Sequence, residues 1–158
     1  MAARIGVGDR APDFTARDQS DQEVRLSRLL AAGPVVLYFY PKDDTPGCTA
    51  EACAFRDDHG SFVEVGATVV GISSDSVERH QAFAARHRLP FRLVSDPDGR
   101  LRRLYAVPRT LGLLPGRVTY VVGADGVVQH VFSSQVRAAA HVTEALVALQ
   151  RLGRPPRS

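Results

Sequence analysis

The run Val35-Val36-Leu37-Tyr38-Phe39-Tyr40 is apolar at every position, and only a short polar loop separates it from Cys48. Side chains alternate between the two faces of a strand, so a strand without polar positions must be covered on both faces. That is the setting of a buried parallel strand. A second run of this kind, Ala67-Thr68-Val69-Val70-Gly71-Ile72-Ser73, lies beyond a helix-compatible stretch over about residues 46–60. The order strand, loop, cysteine, helix, strand predicts a β-α-β unit and aims the thiol out of the end of a sheet.

The remaining elements follow from local signals. Phe14-Thr15-Ala16 and Glu23-Val24-Arg25-Leu26 flank the polar Gln19-Ser20-Asp21-Gln22 and read as a short hairpin within residues 12–27. Ser74-Asp75-Ser76 offers caps for a helix running to about His87. Residues 91–94 read as a brief extended piece, Asp96 to Tyr105 as a turn with a short helix, and 107–116 as a loop. Strands over Arg117 to Val122 and Val127 to Phe132 are joined by Gly123-Ala124-Asp125-Gly126, whose Asp-Gly pair is a strong hairpin signal. Residues 137–151 predict a closing helix with Val142, Leu146, Val147 and Leu149 on its apolar face.

A chain of 158 residues with 44% hydrophobic residues suffices for one domain with a sizeable core. One domain over residues 1–158 is expected, with a loose tail at about 151–158. The net charge of +3 arises from 20 basic and 17 acidic residues that are interspersed, which argues against a nucleic-acid-binding stripe. No apolar run near membrane-spanning length is present, and the amino terminus lacks an apolar leader stretch. The expectation is a cytoplasmic protein with no membrane partner. The five histidines, His59, His80, His87, His130 and His141, show no ligand spacing to the cysteines and read as surface or helix-face residues.

Cys48 and Cys53 are the only cysteines. A chain of this size does not need a disulfide for stability, and a bridge closing so short a loop would add little, so redox or metal chemistry is the better reading. An ordinary thiol is only a few per cent thiolate at neutral pH, and the thiolate is the nucleophile. In a first helical turn, unpaired N–H groups and the helix dipole favour an anion by roughly 0.3–2 kcal/mol. About one pKa unit follows, at 1.36 kcal/mol each. A nearby guanidinium would have to supply the rest.

Pro41-Lys42-Asp43-Asp44-Thr45-Pro46-Gly47-Cys48 fits the Pro-x-x-x-Thr-x-x-Cys signature of peroxiredoxins, and a second cysteine five residues on resembles the peroxiredoxin Q group, or bacterioferritin comigratory proteins. Three further blocks resemble the same family in order. They are Val7-Gly8-Asp9-Arg10-Ala11-Pro12-Asp13-Phe14, Leu93-Val94-Ser95-Asp96-Pro97-Asp98-Gly99 and Leu114-Pro115-Gly116-Arg117-Val118-Thr119-Tyr120. The resemblance implies an α/β thioredoxin-like fold: a central mixed sheet flanked by helices, with an N-terminal β-hairpin addition. It also implies a thiol-dependent peroxidase for hydrogen peroxide and organic hydroperoxides, in which Cys48 becomes a sulfenic acid and Cys53 resolves it as an intramolecular disulfide. Thioredoxin or a similar dithiol would be the reductant, with no haem, flavin or metal, and a monomer the natural state because no C-terminal cysteine serves a partner subunit.

By the same resemblance Arg117 is the late-strand arginine that favours the thiolate and binds the peroxide oxygen; as a bare observation it is equally a solvated strand-end arginine. Thr45 donates to the thiolate or to a peroxide oxygen and accepts from a substrate proton, or serves as a helix N-cap, and the two roles can coexist. Pro41 stiffens the loop over the thiol, or merely ends a strand. Gly47 permits close backbone approach, or is a plain turn glycine. Glu51 orders the site, or is an exposed first-turn acid. The family more usually has Ile-Asp where this chain has Val122-Gly123, a change expected to be neutral.

Two other readings use the cysteines differently. A thioredoxin-type thiol-disulfide carrier prefers Cys-x-x-Cys, and a copper-handling relative uses Cys-x-x-x-Cys with a distal histidine, whereas here four residues intervene. A phosphatase-like loop would need an arginine six positions after the cysteine, where Ala54 stands.

Ideal helix geometry places Cα atoms five residues apart at about 8.7 Å and ~140° around the axis. A disulfide requires about 4.4–6.8 Å. The cysteine helix is therefore expected to unwind around residues 46–56 on oxidation.

Overall fold

The structure, a computed structural model, describes residues 5–107, 109–110, 114–135 and 137–152. The expected tail lies almost wholly outside them, although Arg151 and Leu152 still belong to the last helix.

Strands β1 (Thr15–Asp18) and β2 (Glu23–Arg25) form the predicted hairpin, with Ala16 opposite Val24. Helix α1 (Leu26–Leu30) follows directly, where the sequence suggested only the end of the hairpin. Strand β3 (Val35–Phe39) is buried at all five positions, as its composition requires. The cysteine helix is α2 (Pro46–Asp57), which stops at Asp58; the segment expected to continue it turns into a separate helix, α3 (His59–Glu64).

Next come β4 (Thr68–Ser73), α4 (Val77–His87), β5 (Arg92–Ser95) and α5 (Arg100–Leu104). Ser76 caps α4 through its side chain, accepting from the Arg79 N–H at 3.2 Å. The stretch expected as a loop over 107–116 contains two short paired strands, β6 (Arg109–Thr110) and β7 (Leu114–Pro115), and its residues 108 and 111–113 lie outside the described residues. Strands β8 (Val118–Val122) and β9 (Val128–Ser133) make the Asp-Gly hairpin, in which Gly126 takes φ +84°, and α6 (Ala138–Leu152) closes the fold.

The large sheet runs β2-β1-β5-β4-β3-β8-β9. Its centre, β5-β4-β3, is parallel, and β8 and β9 extend it antiparallel, with Phe39 opposite Val118. One apolar cluster joins Tyr38, Tyr40 and Val121 to Cys48, Phe55, Phe83, Val142 and Leu149; the other joins Leu37, Phe39, Ile72 and Tyr120 to Phe14, Leu26, Leu101 and Tyr105. Alternate residues of β3 thus feed opposite cores. On α6, Val142 and Leu149 are buried as expected, but Val147 is 41% exposed, and Ala145 and His141 take the inner positions instead. Among the described residues, no helix is long and apolar enough to cross a membrane.

Candidate active site

The end of β3 delivers the chain to the site. The last ladder bond runs from the Tyr40 N–H to Ile72 O at 3.0 Å, and Pro41, which has no N–H, follows it. Thr45 is the N-cap residue of α2, Pro46 opens the helix, and Cys48 sits in its first turn, where backbone N–H groups lack intrahelical acceptors. The thiol is 1% exposed.

Arg117, immediately before β8, supplies the cation. Its Nη2 donates to Cys48 Sγ at 3.3 Å and its Nη1 to Glu51 Oε1 at 2.7 Å. Both Arg117 and Glu51 are buried, so the readings of a solvated arginine and an exposed acid fail. Burial opposes the guanidinium's charge, but Glu51 and Cys48 outweigh it and raise the Arg117 pKa. Burial pushes the Glu51 carboxyl up to about 8, with Arg117 pulling the other way. Gly47 has a specific reason: a Cβ there would stand 3.0 Å from Arg117 Nη2.

Thr45 takes the N-cap position of α2, but its hydroxyl proton is engaged elsewhere. Its hydroxyl donates to Lys42 O at 2.9 Å, tightening the loop, and makes no capping bond to the helix. A free lone pair on its oxygen remains able to accept from a ligand.

The histidines depart most from expectation. His80 and His141 are fully buried. The Nε2–H of His80 donates to Val94 O at 3.1 Å, and its Nδ1 lies 2.6 Å from Asp43 Oδ2, while the Tyr40 hydroxyl donates to Asp43 Oδ1 at 2.5 Å. Asp75 Oδ2 accepts from the Asp43 N–H at 2.8 Å and from the Ser73 hydroxyl at 2.6 Å. Asp43, Asp75 and His80 are the one group of ligand type among the described residues compact enough for a metal ion. Through these contacts they serve as a lock holding loop 41–45 against β4 and α4.

His141, on α6, stands behind Glu51. The Thr119 hydroxyl donates to its Nδ1 at 2.7 Å, its Nε2–H donates to Ser134 O at 2.9 Å, and Glu51 Oε2 lies 3.5 Å from Nδ1. Burial pushes the imidazole down to about 4, with Arg117 adding to the shift and the Ser134 and Glu144 interactions opposing it. It is neutral at physiological pH.

Cys53 is partly exposed, and both cysteines are free thiols. The two lie in one continuous helix, so the separation derived from ideal geometry applies to this state. Cys53 Sγ lies 3.9 Å from His87 Nδ1, a pairing that the cysteine-to-histidine spacing along the chain did not suggest.

Arg102 holds the two halves of the site in register. Its Nη2 donates to Tyr40 O at 2.9 Å and its Nη1 to Gly116 O at 3.0 Å, so one guanidinium bridges the chain entering the cysteine loop and the chain entering β8.

Taken together, a buried thiol in a helix N-terminus, touched by a buried guanidinium that is itself anchored by a carboxyl, is an arrangement that stabilises a sulfur anion and can receive a polar oxygen beside it. Residues 7–131 match the AhpC/TSA family model. The chain is 49% identical to chloroplastic peroxiredoxin Q of Sedum lineare over 95% of its length and 81% of that protein, and 46% identical to that of Arabidopsis thaliana over 91% and 67%. Among solved structures it is similar to peroxidoxin BcpB of Mycobacterium tuberculosis, with a TM-score of 0.88, 42% identity, and coverage of 98% of this chain and 100% of that one. Peroxiredoxin Q of Xanthomonas campestris is similar at a TM-score of 0.82 and 32% identity, with 89% and 92% covered. These neighbours carry the thioredoxin-like fold expected from the sequence. The chloroplastic relatives overturn the cytoplasmic placement, because an amino terminus without an apolar stretch does not specify a compartment.

Proposed function

The chain belongs to the AhpC/TSA family, within its peroxiredoxin Q branch of thiol-dependent peroxidases that reduce hydroperoxides with a thiol reductant, and on that premise we propose a division of labour among its residues. Cys48 is the peroxidatic cysteine. Its thiolate attacks one oxygen of the hydroperoxide, the O–O bond breaks, and the departing oxygen leaves as water or an alcohol after taking a proton. Cys48 is left as a sulfenic acid. Arg117 stabilises the thiolate and then the negative charge growing on the departing oxygen. Thr45 offers its oxygen to the incoming peroxide, Pro41 and Gly47 shape the loop and admit the guanidinium, and Glu51 fixes the orientation of Arg117.

Cys53 then condenses with the sulfenic acid, and thioredoxin or a similar dithiol reduces the resulting Cys48–Cys53 disulfide. Hydrogen peroxide and organic hydroperoxides are both substrates, and the role is antioxidant defence. Because the resolving thiol belongs to the same chain, no second subunit is required. We read a monomer of one domain over residues 1–158, without cofactor, metal, nucleic-acid or membrane partner.

The observation that carries this reading is the 3.3 Å contact from Arg117 Nη2 to Cys48 Sγ at the start of α2. The test is hydrogen peroxide removal with thioredoxin, thioredoxin reductase and NADPH, following products by intact mass. Cys48→Ser is expected to be inactive, and Cys53→Ser to accumulate sulfenic or hyperoxidised Cys48. A wild-type protein that ignores peroxide yet reduces protein disulfides would instead be a thioredoxin-type carrier.

A further inference from the structure

Resting on the reading of Cys53 as the resolving thiol, we infer that His87 is its general base, deprotonating Cys53 for attack on the Cys48 sulfenic acid. The attack requires a thiolate at Cys53, yet Cys53 lies in the second half of α2 and has neither the helix N-terminus nor Arg117 to favour an anion. What it has is an imidazole. His87 Nδ1 lies 3.9 Å from Cys53 Sγ, within reach of an S–H···N hydrogen bond when the ring proton sits on Nε2.

The imidazole is held in place from two sides. Its ring rests edge-on against buried Phe83, with centroids 4.9 Å apart, and its own backbone carbonyl accepts from Arg56 Nη1 at 2.8 Å. Arg56 lies one turn beyond Cys53 and is close enough for the cysteine's charge to act on the guanidinium, so a cation also flanks the thiol. Of the other charges on these two elements, Asp57 accepts from Arg56 Nε, Arg86 pairs with Asp44, Arg79 with Asp75 and Glu51 with Arg117, and Glu78 lies in the first turn of α4, at its far end from His87.

The same contacts bear on how the disulfide forms. Arg56 ties the second half of α2 to the end of α4, and Phe55 is fully buried against Tyr38. The first turns, which begin Pro46-Gly47, have Arg117 as their hold on Cys48. Unwinding therefore proceeds from the N-terminal end, and Cys48 travels to a Cys53 that stays beside His87. There Nδ1 takes the Cys53 proton and the thiolate attacks Cys48 Sγ. The S–S bond forms as the S–O bond breaks, and the departing hydroxide takes the imidazolium proton to become water. The Cys53 sulfur is oxidised and the sulfenic sulfur reduced, so no other oxidant enters.

Reduced protein is mixed with one equivalent of hydrogen peroxide at pH 7, quenched by alkylation at successive times, and read by intact mass, for wild type, His87→Phe, His87→Gln and Cys53→Ser. Phenylalanine keeps the ring against Phe83, and glutamine keeps a hydrogen-bonding group without the basicity. In both His87 variants, sulfenic acid is expected to form at the wild-type rate while disulfide formation slows about 100-fold, the lower end of general-base effects. The gap should narrow as pH rises, because hydroxide then takes the place of the imidazole as base. Disulfide formation within about twofold of wild type would overturn the assignment, and so would equal slowing of both steps, the mark of lost packing. If wild type formed no Cys48–Cys53 disulfide and behaved like Cys53→Ser, the resolving role itself would fail. A normal disulfide rate in the His87 variants would instead leave that role standing.

Discussion

Replacing His141 with glutamine should unbalance the protein's response to mild acid. Both nitrogens of the buried imidazole are committed in its neutral form, one accepting from Thr119 and the other donating to Ser134 O. Burial is the main force holding its pKa down at about 4 against an ordinary 6.5. Between those values the unfolded chain binds a proton that the folded chain refuses. Stability from this residue is therefore complete above pH 6.5 and lost as pH falls toward 4. At 1.36 kcal/mol per unit, the loss is about 2 kcal/mol by pH 5 and about 3 kcal/mol by pH 4.

Glu51 works in the opposite sense. Its folded pKa of about 8 lies above the ordinary 4.5, so its contribution is complete below pH 4.5 and lost as pH rises to 8. Between pH 4.5 and 6.5 the two slopes cancel in the wild type. In His141→Gln only the Glu51 slope remains, and the variant should gain stability on acidification. Urea unfolding of the reduced proteins at pH 5, 6 and 7 measures this, with the urea slope checked for constancy. The advantage of wild type over the variant is expected to shrink by about 2 kcal/mol from pH 7 to pH 5. An advantage that stays constant across that range would refute the reasoning, because the imidazole would then not be held neutral by the fold.

Arg117→Met should lower the rate of sulfenic acid formation about 10²- to 10³-fold, the cost of removing one preorganised donor, measured in stopped flow with peroxide in excess. Gly47→Ala places a Cβ against Arg117 Nη2, so kcat/KM is expected to fall about tenfold through displacement of the guanidinium, while α2 gains at most about 1 kcal/mol of helix propensity. An unchanged kcat/KM would mean that the guanidinium relaxes freely. His80→Ala strips a partner from buried Asp43 and should cost about 1–3 kcal/mol in urea unfolding, with faster amide exchange confined first to residues 41–45.

The elements legible in the sequence were those whose signal is local. β3 and β4 announce themselves by unbroken apolar runs, α4 by its serine cap, and the β8–β9 hairpin by Asp-Gly. The elements missed were the short helices α1 and α3 and the two-residue strands β6 and β7, all set against stronger neighbours. Leu26 reads equally well as the end of a strand, and nothing in Asp57-Asp58-His59 marks the place where α2 stops. The site shows the same division. Cys48, Arg117 and Glu51 were found because a motif joins residues far apart in the chain. His80, His87 and His141 were not, because their partners Asp43, Cys53 and Thr119 lie 37, 34 and 22 residues away and belong to no motif. A polar residue is read as exposed until its partner is known, and only the fold supplies the partner.

The bridge made by Arg102 couples two segments that are far apart in the chain. With Tyr40 O and Gly116 O tied to the same guanidinium, the chain entering the cysteine loop and the chain entering β8 are held together from α5, behind the reacting atoms. The distance between Cys48 and Arg117 thus rests in part on a residue that touches neither the thiol nor its cation, and a change at Arg102 would be felt at the chemistry from a distance.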